Sequence, residues 1–207
     1  MTVDKSFENE NQNSGTGQDI GHHGSDSLVP GLLLATPHLK DPNFEKSVVL
    51  MIEHHDQGAL GMIVNRPTQF PVSKVLQSAD IHWWGDPDTV LWEGGPVMRE
   101  SCWLLHENVS LFLDRGMLEV APGIVLSSST ERLKELARKP PKSMRFLRGV
   151  AGWGPSQLEQ EMAGGYWITA EVSRDLLFDI PHEEMWQTAY RRMGIDPSFL
   201  AHNQGIN

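Results

Sequence analysis

The sequence contains one cysteine, Cys102, among 207 residues. A single cysteine excludes a disulfide within the chain and a zinc site built from several cysteines. The chain also lacks an apolar run of about 18 residues, the length that predicts a membrane-spanning helix. Its first residues have neither the basic start nor the apolar middle of a secretory signal. We therefore expect a cytoplasmic protein that does not contact a membrane.

Basic residues are scarce: the chain has 17 Lys and Arg against 27 Asp and Glu, a formal net charge of −10. Nucleic-acid binding proteins usually present a basic face that neutralises phosphates. Basic residues concentrate here only between Lys134 and Arg148 and at Arg191 and Arg192. Solvated helix ends explain both groups equally well, so the charge balance argues against direct binding of nucleic acid.

The first 26 residues are polar and contain few apolar side chains. Such a composition cannot bury enough apolar surface to fold, which predicts a disordered tail over residues 1–26. The remaining length suits one domain, which we place at residues 27–207.

Short apolar segments rich in β-branched residues predict a domain with many strands. Ser47–Glu53 and Ala59–Asn65 are joined by a short loop containing Asp and Gly, which predicts a hairpin. Further strands are predicted at 30–36, 90–93, 102–106, 117–120, 124–126 and 143–150 and from Trp167, and helices at 72–77, after 130, after 156 and after Pro181. Because no regular alternation of strand and helix occurs, the fold class is α+β, a mostly antiparallel sheet or small barrel flanked by helices.

Two capping boxes predict helix starts, one formed by Ser128 and Glu131 and one by Ser156 and Glu159. The second lies in a glycine-rich segment, residues 149–167, where Gly164 is expected to end the helix in a left-handed conformation. Tight turns explain these glycines. The alternative is that the helix start beside a bare glycine loop holds an anion or a carboxylate.

Several short motifs together resemble one family. They are Asp41-Pro42-Asn43-Phe44, Ser47-Val48-Val49, Glu53-His54, Gly58 to Pro67, Gly94-Gly95-Pro96, Leu105-His106, Gly152-Trp153, Gln157-Leu158-Glu159, Trp186 and Gly194-Ile195-Asp196. In this order they resemble the YqgE/AlgH family of bacterial proteins over roughly residues 28–200. Ser156 and Val150 depart from the family pattern, which usually has a glycine and an aromatic residue there.

The resemblance implies a single cytoplasmic α+β domain with a small barrel-like sheet, and it brings no established activity. One branch of the family is named for a transcriptional regulator of alginate production. We therefore expect a non-enzymatic regulator that acts indirectly on transcription, without a cofactor or metal, by binding a small ligand or a protein partner. The residues that recur in the motifs are mainly Gly, Pro, Asn and Trp, which shape the backbone rather than transfer protons.

Polar residues within the motifs are the candidate ligand-binding groups: Asn65, Arg66, His106 and Gln157. Arg66 is the clearest candidate, because a guanidinium held beside the turn at Pro67 suits an anionic ligand. The alternative is that the Asn65 side chain hydrogen-bonds to backbone amides of a loop and that Arg66 forms an ion pair with an acidic residue.

An enzyme is the alternative to a regulator. His54 or His106 with Glu93 could supply acid and base for a hydrolase. The two histidines with Glu53 or Glu107 could also hold a metal. Cys102 lies on the same strand face as His106 and could act as a nucleophile, although a buried inert thiol is the simpler expectation.

Overall fold

The computed structural model describes residues 27–108 and 116–202, so the predicted tail over residues 1–26 lies outside the described residues. Within the described ranges, ten strands form one curled sheet. The strands are β1 (Leu32–Ala35), β2 (Val48–His55), β3 (Gly58–Ile63), β4 (Pro67–Pro71), β5 (Val90–Glu93), β6 (Val97–Glu107), β7 (Met117–Ala121), β8 (Ile124–Ser127), β9 (Met144–Trp153) and β10 (Trp167–Ala170).

The main path of the sheet runs β10-β1-β2-β3-β9-β6-β8-β7, and β5 joins β4 to β9. The pairs along the path are antiparallel, whereas β5 and β9 are parallel. The predicted α+β class with a mostly antiparallel sheet is therefore confirmed, as is the β2–β3 hairpin.

Six helices flank the sheet within the described residues: α1 (Val72–Gln77), α2 (Thr130–Arg138), α3 (Gln157–Ala163), α4 (Arg174–Phe178), α5 (His182–Arg192) and α6 (Pro197–His202). The helix predicted after Pro181 is α5, and Gly194 follows it with a φ of 72°. Every helix in these ranges is too short or too polar to span a bilayer.

Both faces of the central strands are buried, which explains the continuous apolar run of β2. Val48 and Leu50 pack on one face with residues of α4 and α5, and Val49 and Met51 pack on the other with Leu158 of α3. A third apolar cluster joins α1 and α2 to β5, β6 and β9. Fully burying one such side chain contributes about 1.5–3 kcal/mol, so the three clusters fix the positions of the helices.

The two predicted capping boxes are both wrong in detail. At α2 the cap is Ser129 rather than Ser128, because the Ser129 hydroxyl accepts a hydrogen bond from the Arg132 amide at 3.1 Å. At α3 Ser156 is left-handed, with a φ of 59°, and its side chain makes no capping hydrogen bond. The side chain of Gln157 instead accepts a hydrogen bond from the Gly154 amide at 3.0 Å.

Glycines at one strand crossing are required by close backbone contact. Gly95 has a φ of 154°, and a Cβ atom there would lie 2.1 Å from the carbonyl carbon of Val150. Gly149 has a φ of 76°, and its Cβ would lie 2.2 Å from the carbonyl oxygen of Gly95. At the end of α3, Gly164 is right-handed and Gly165 takes the left-handed conformation, so the predicted role of Gly164 shifts by one residue.

Candidate functional site

Asn65 and Arg66 both hold the loop that precedes β2. The side chain of Asn65 accepts a hydrogen bond from the Val48 amide at 2.9 Å and donates one to the Lys46 carbonyl at 3.0 Å. The Arg66 guanidinium donates to three carbonyls of the same loop, those of Pro42, Asn43 and Glu45. The turn at Pro67 therefore presents these side chains to the protein's own backbone.

The charges near Arg66 are mostly negative. Partial burial lowers the pKa of Arg66, and the carboxylates of Asp41, Glu45 and Glu93 oppose that shift. An anionic ligand at Arg66 would meet these three carboxylates. Arg66 remains a predicted ligand residue, and no contact described here tests that prediction.

Gln157 lies at the start of α3. Its side chain accepts from the Gly154 amide and donates to Glu161 Oε1 at 2.9 Å. The second oxygen of Glu161 accepts hydrogen bonds from the indoles of Trp153 and Trp167 at 2.9 and 2.8 Å. Gln157 therefore continues an internal network that holds α3 against β9 and β10.

His54 connects α3 to the first described residues. The Leu28 amide donates to His54 Nδ1 at 3.3 Å, so Nε2 carries the proton and donates to Glu159 at 2.8 Å. This hydrogen bond lowers the pKa of the Glu159 carboxyl. Both ring nitrogens of His54 are therefore hydrogen-bonded to other parts of the protein.

His106 is fully buried and pairs with a serine. Its Nδ1 donates to the Glu107 carbonyl at 2.8 Å, which leaves Nε2 to accept the Ser127 hydroxyl proton at 2.9 Å. Burial lowers the pKa of His106, so the ring is neutral at pH 7. The pairing of a neutral histidine with a serine hydroxyl is the geometry of a general base beside a nucleophile.

Glu93 is surrounded by arginines rather than by the predicted histidines. Its carboxylate lies 3.4 Å from Arg148 Nη2 and 3.7 Å from Arg99 Nε. Oε1 of Glu93 and Nε of Arg148 are both buried without a hydrogen-bond partner in the described structure. Neither His54 nor His106 shares a hydrogen bond with Glu93, since their ring nitrogens bond to other groups.

Cys102 is half-buried and lies opposite Arg148 across β6 and β9. Burial raises the pKa of its thiol, and the nearby charge of Arg148 only partly offsets that effect. The thiol is therefore protonated at neutral pH, which is the state of a structural cysteine rather than a nucleophile.

The structure does not gather the predicted polar residues into one place. Asn65 and Arg66 share the loop before β2, whereas His106 and Gln157 have separate partners. The potential metal ligands are also dispersed, because no cluster of three His, Cys, Asp or Glu side chains with metal-binding spacing occurs within residues 27–108 and 116–202.

A groove that the sequence did not indicate lies between the start of β1, the end of β10 and helices α4 and α5. Its cavity volume is about 620 Å³, within the roughly 300–1,000 Å³ typical of small-molecule pockets. Leu28, Leu176, Ala189 and Met193 give it an apolar lining, and Ser173 and Arg192 add polar groups. Asn65, Arg66, His106 and Gln157 do not line it.

The polar wall of the groove is held by an ion pair. Arg192 donates to the Ser173 hydroxyl at 2.8 Å and pairs with the carboxylate of Asp175. The hydrogen bond from Arg192 lowers the pKa of Asp175, and the same contact raises the pKa of Arg192. The groove therefore presents Arg192, which Asp175 holds in place, and the acidic side chain of Glu171 beside its apolar lining.

Comparison with known proteins identifies the family. The family model described as AlgH-like matches residues 32–198. The chain belongs to the AlgH-like family. A UPF0301 protein of Anaeromyxobacter sp. (strain K) is 42% identical over 178 residues, covering 83% of this chain and 90% of that protein. A UPF0301 protein of Myxococcus xanthus is 36% identical over 182 residues, covering 87% of this chain and 99% of the relative.

Two solved structures share the AlgH-like fold. The solution structure of the AlgH protein from Pseudomonas aeruginosa superposes with a TM-score of 0.70 at 30% identity, covering 91% of this chain and all of that one. The crystal structure of a Corynebacterium diphtheriae protein superposes with a TM-score of 0.68 at 23% identity, covering 84% of this chain and 91% of that one. The second likeness shows the fold alone.

Proposed function

We propose that this AlgH-like protein is a cytoplasmic regulator that binds a small ligand in the groove between β1, β10, α4 and α5 and thereby acts indirectly on transcription. The groove carries the proposal, because it combines a volume of about 620 Å³ with an apolar floor and a polar wall. Such a combination favours a ligand with an apolar body and a few hydrogen-bonding groups. A protein partner would then respond to the ligand-bound form.

The candidate catalytic groups already interact with other protein groups, which supports a ligand-binding function over catalysis. His54, His106 and Glu93 each contact a different set of partners. A proton-transfer pair needs its two groups within reach of one substrate. The formal net charge of −10 argues in the same direction against direct contact with nucleic acid.

The test is a thermal-shift screen of small metabolites against the protein and two variants of Thr169, an exposed groove residue of β10. A ligand that binds only the native state raises the unfolding midpoint. T169W places a bulky indole at the rim of the groove and is expected to weaken the shift. T169V keeps the shape of the side chain and is expected to retain it. A shift that T169W leaves unchanged would place the ligand elsewhere.

One observation favours a hydrolase as the second candidate: the 2.9 Å hydrogen bond between Ser127 and His106. Ser127 is only 4% exposed, and the crevice beside it holds about 10 Å³. A crevice of this size has room for one water at most. Substrate access would therefore require the crevice to widen.

A fluorophosphonate probe separates this candidate from the first, because it labels a serine that an adjacent base activates. A hydrolase built on this pair is expected to be labelled, to lose the label in S127A and to keep it in S128A. If the wild-type protein takes up no label, Ser127 is a structural partner of His106.

A further inference from the structure

Arg145 is buried in the middle of the sheet. It lies in β9, opposite Leu105 of β6, and only 5% of its surface is exposed. The other arginines in the described ranges are all more exposed. A guanidinium retains its charge in this setting, since burial lowers the pKa of Arg145 only to about 10.

The charge of Arg145 has no carboxylate to balance it. Its Nη1 donates to the carbonyl of Val64, and none of its nitrogens lies within 4 Å of an acidic oxygen of the described residues. Arg148, on the same strand, shares Glu93 with Arg99. Buried charges in proteins are normally paired, because removing an ion from water is costly. An anion is therefore the partner that Arg145 lacks.

The guanidinium is held in place by an aromatic ring. Its Cζ atom lies 4.0 Å from the centroid of the Trp92 ring. The ring of His182 meets the edge of Trp92, with centroids 5.8 Å apart and an interplanar angle of 88°. The fixed orientation of Arg145 suits planar recognition of a carboxylate or phosphoryl group.

The start of α5, which contacts Trp92 through His182, carries a partial positive potential and one opposing charge. His182 is the first residue of α5, whose N-terminus has no side-chain cap. The amides of such a helix start carry a partial positive charge. The carboxylate of Glu183, 3.2 Å from His182 Nδ1, opposes it but is mostly exposed to solvent.

We propose that Arg145, held against the ring of Trp92, binds the oxyanion of a small ligand, either a carboxylate or a phosphoryl group. This site is separate from the groove, because the groove contacts α5 at Ala189 and Arg192, towards the other end of the helix. The proposal goes beyond the proposed function and stands whether or not the groove takes a ligand. The ligand of this site supplies the negative charge that balances Arg145.

The test measures the unfolding midpoint and the indole N–H resonance of Trp92 while inorganic phosphate or succinate is added. Potassium chloride holds the ionic strength constant throughout, and W92F assigns the resonance. Oxyanion binding is expected to raise the midpoint and move the Trp92 resonance in a saturable way. A response to phosphate alone indicates a phosphoryl ligand, and a response to succinate alone indicates a carboxylate.

The matched variants are R145M and R148M. R145M keeps an unbranched apolar stem against Trp92, and we expect it to weaken binding at least 10-fold. R148M removes a neighbouring arginine of the same strand that already has a carboxylate partner, and we expect it to bind as wild type does. R145K keeps the charge without the planar fork, so it is expected to bind with intermediate affinity.

Two results would overturn the proposal. One is a wild-type protein whose midpoint and Trp92 resonance respond to neither probe beyond the chloride control. The other is equal binding by wild type and R145M. In either case Arg145 is a structural residue that Trp92 and the Val64 carbonyl hold. If R145M does not fold, the wild-type titration together with R145K gives the same decision.

Discussion

Arg66 donates hydrogen bonds to three carbonyls of the loop before β2. Removing a charged donor from such a group costs about 1–3 kcal/mol. We therefore expect R66A to lower the free energy of unfolding by about that amount, and R66K, which reaches fewer carbonyls, to lower it by less. Urea unfolding of the three proteins measures the difference. If R66A is as stable as wild type, the hydrogen bonds of Arg66 do not stabilise the fold, and Arg66 is available to bind a ligand.

The buried His106 predicts a dependence of stability on pH. Because its pKa is lowered in the folded protein, the unfolded chain binds the proton more readily. The stability due to neutral His106 is complete above the unfolded pKa of about 6.5, and it is lost as the pH falls below that value. The slope for one group is at most about 1.4 kcal/mol per pH unit.

H106Q removes this titration and keeps polar atoms near Ser127. The difference in free energy of unfolding between wild type and H106Q is expected to shrink as the pH falls from 7.5 to 5.5. Denaturant unfolding across that range measures it. A difference that is constant with pH would mean that His106 titrates alike in both states.

The roles of some single residues can be predicted from the sequence, and those of others cannot. The sequence identifies Asn65 and Arg66 as polar groups beside a turn, and the contacts of Asn65 fit the alternative in which its side chain hydrogen-bonds to the loop. In the sequence, Arg145 is one of several basic residues between Lys134 and Arg148. Its burial depends on Trp92 and Val64, which are distant in sequence. No local pattern distinguishes such an arginine from a solvated one.

Ser129 caps α2 through a hydrogen bond to the Arg132 amide. Loss of such a cap typically costs about 1 kcal/mol. We expect S129A to lower the free energy of unfolding by about that amount. S128A is the matched control, because no cap bond depends on Ser128, and it is expected to change stability little. If S128A lowers the free energy of unfolding more than S129A does, the capping box predicted for Ser128 and Glu131 is correct.

The elements that sequence predicted are those with strong local signals. The apolar runs and short loop predict β2 and β3, and Pro181 marks the start of α5. The sequence does not predict β4, because it begins at Pro67, ends at Pro71 and is stabilised by its pairing with β5. α4 has only five residues, too few to show a helical period. The sequence predicts a capping role for Ser156, but the turn before α3 gives this residue a left-handed backbone.

Protection within the whole molecule should follow burial on the two faces of the sheet. β2 is covered on both faces, whereas Phe70 of β4 is 61% exposed. Amide exchange is slowest where opening requires global unfolding. We expect the slowest amides in β2, β3 and β9 and the fastest strand amides in β4. Native-state hydrogen exchange measured by NMR tests this order, and equal protection of β4 and β2 would contradict it.

The pairing of β1 with β10 joins segments that lie far apart in the sequence, since Leu32 lies against Ala170. A ribosome therefore releases β1 long before its neighbour has been synthesised. Until Trp167 to Ala170 emerge, one side of β1 has open backbone groups that another nascent chain could pair with. If translation stalls before this point, the partly folded intermediate is prone to aggregate and requires a chaperone.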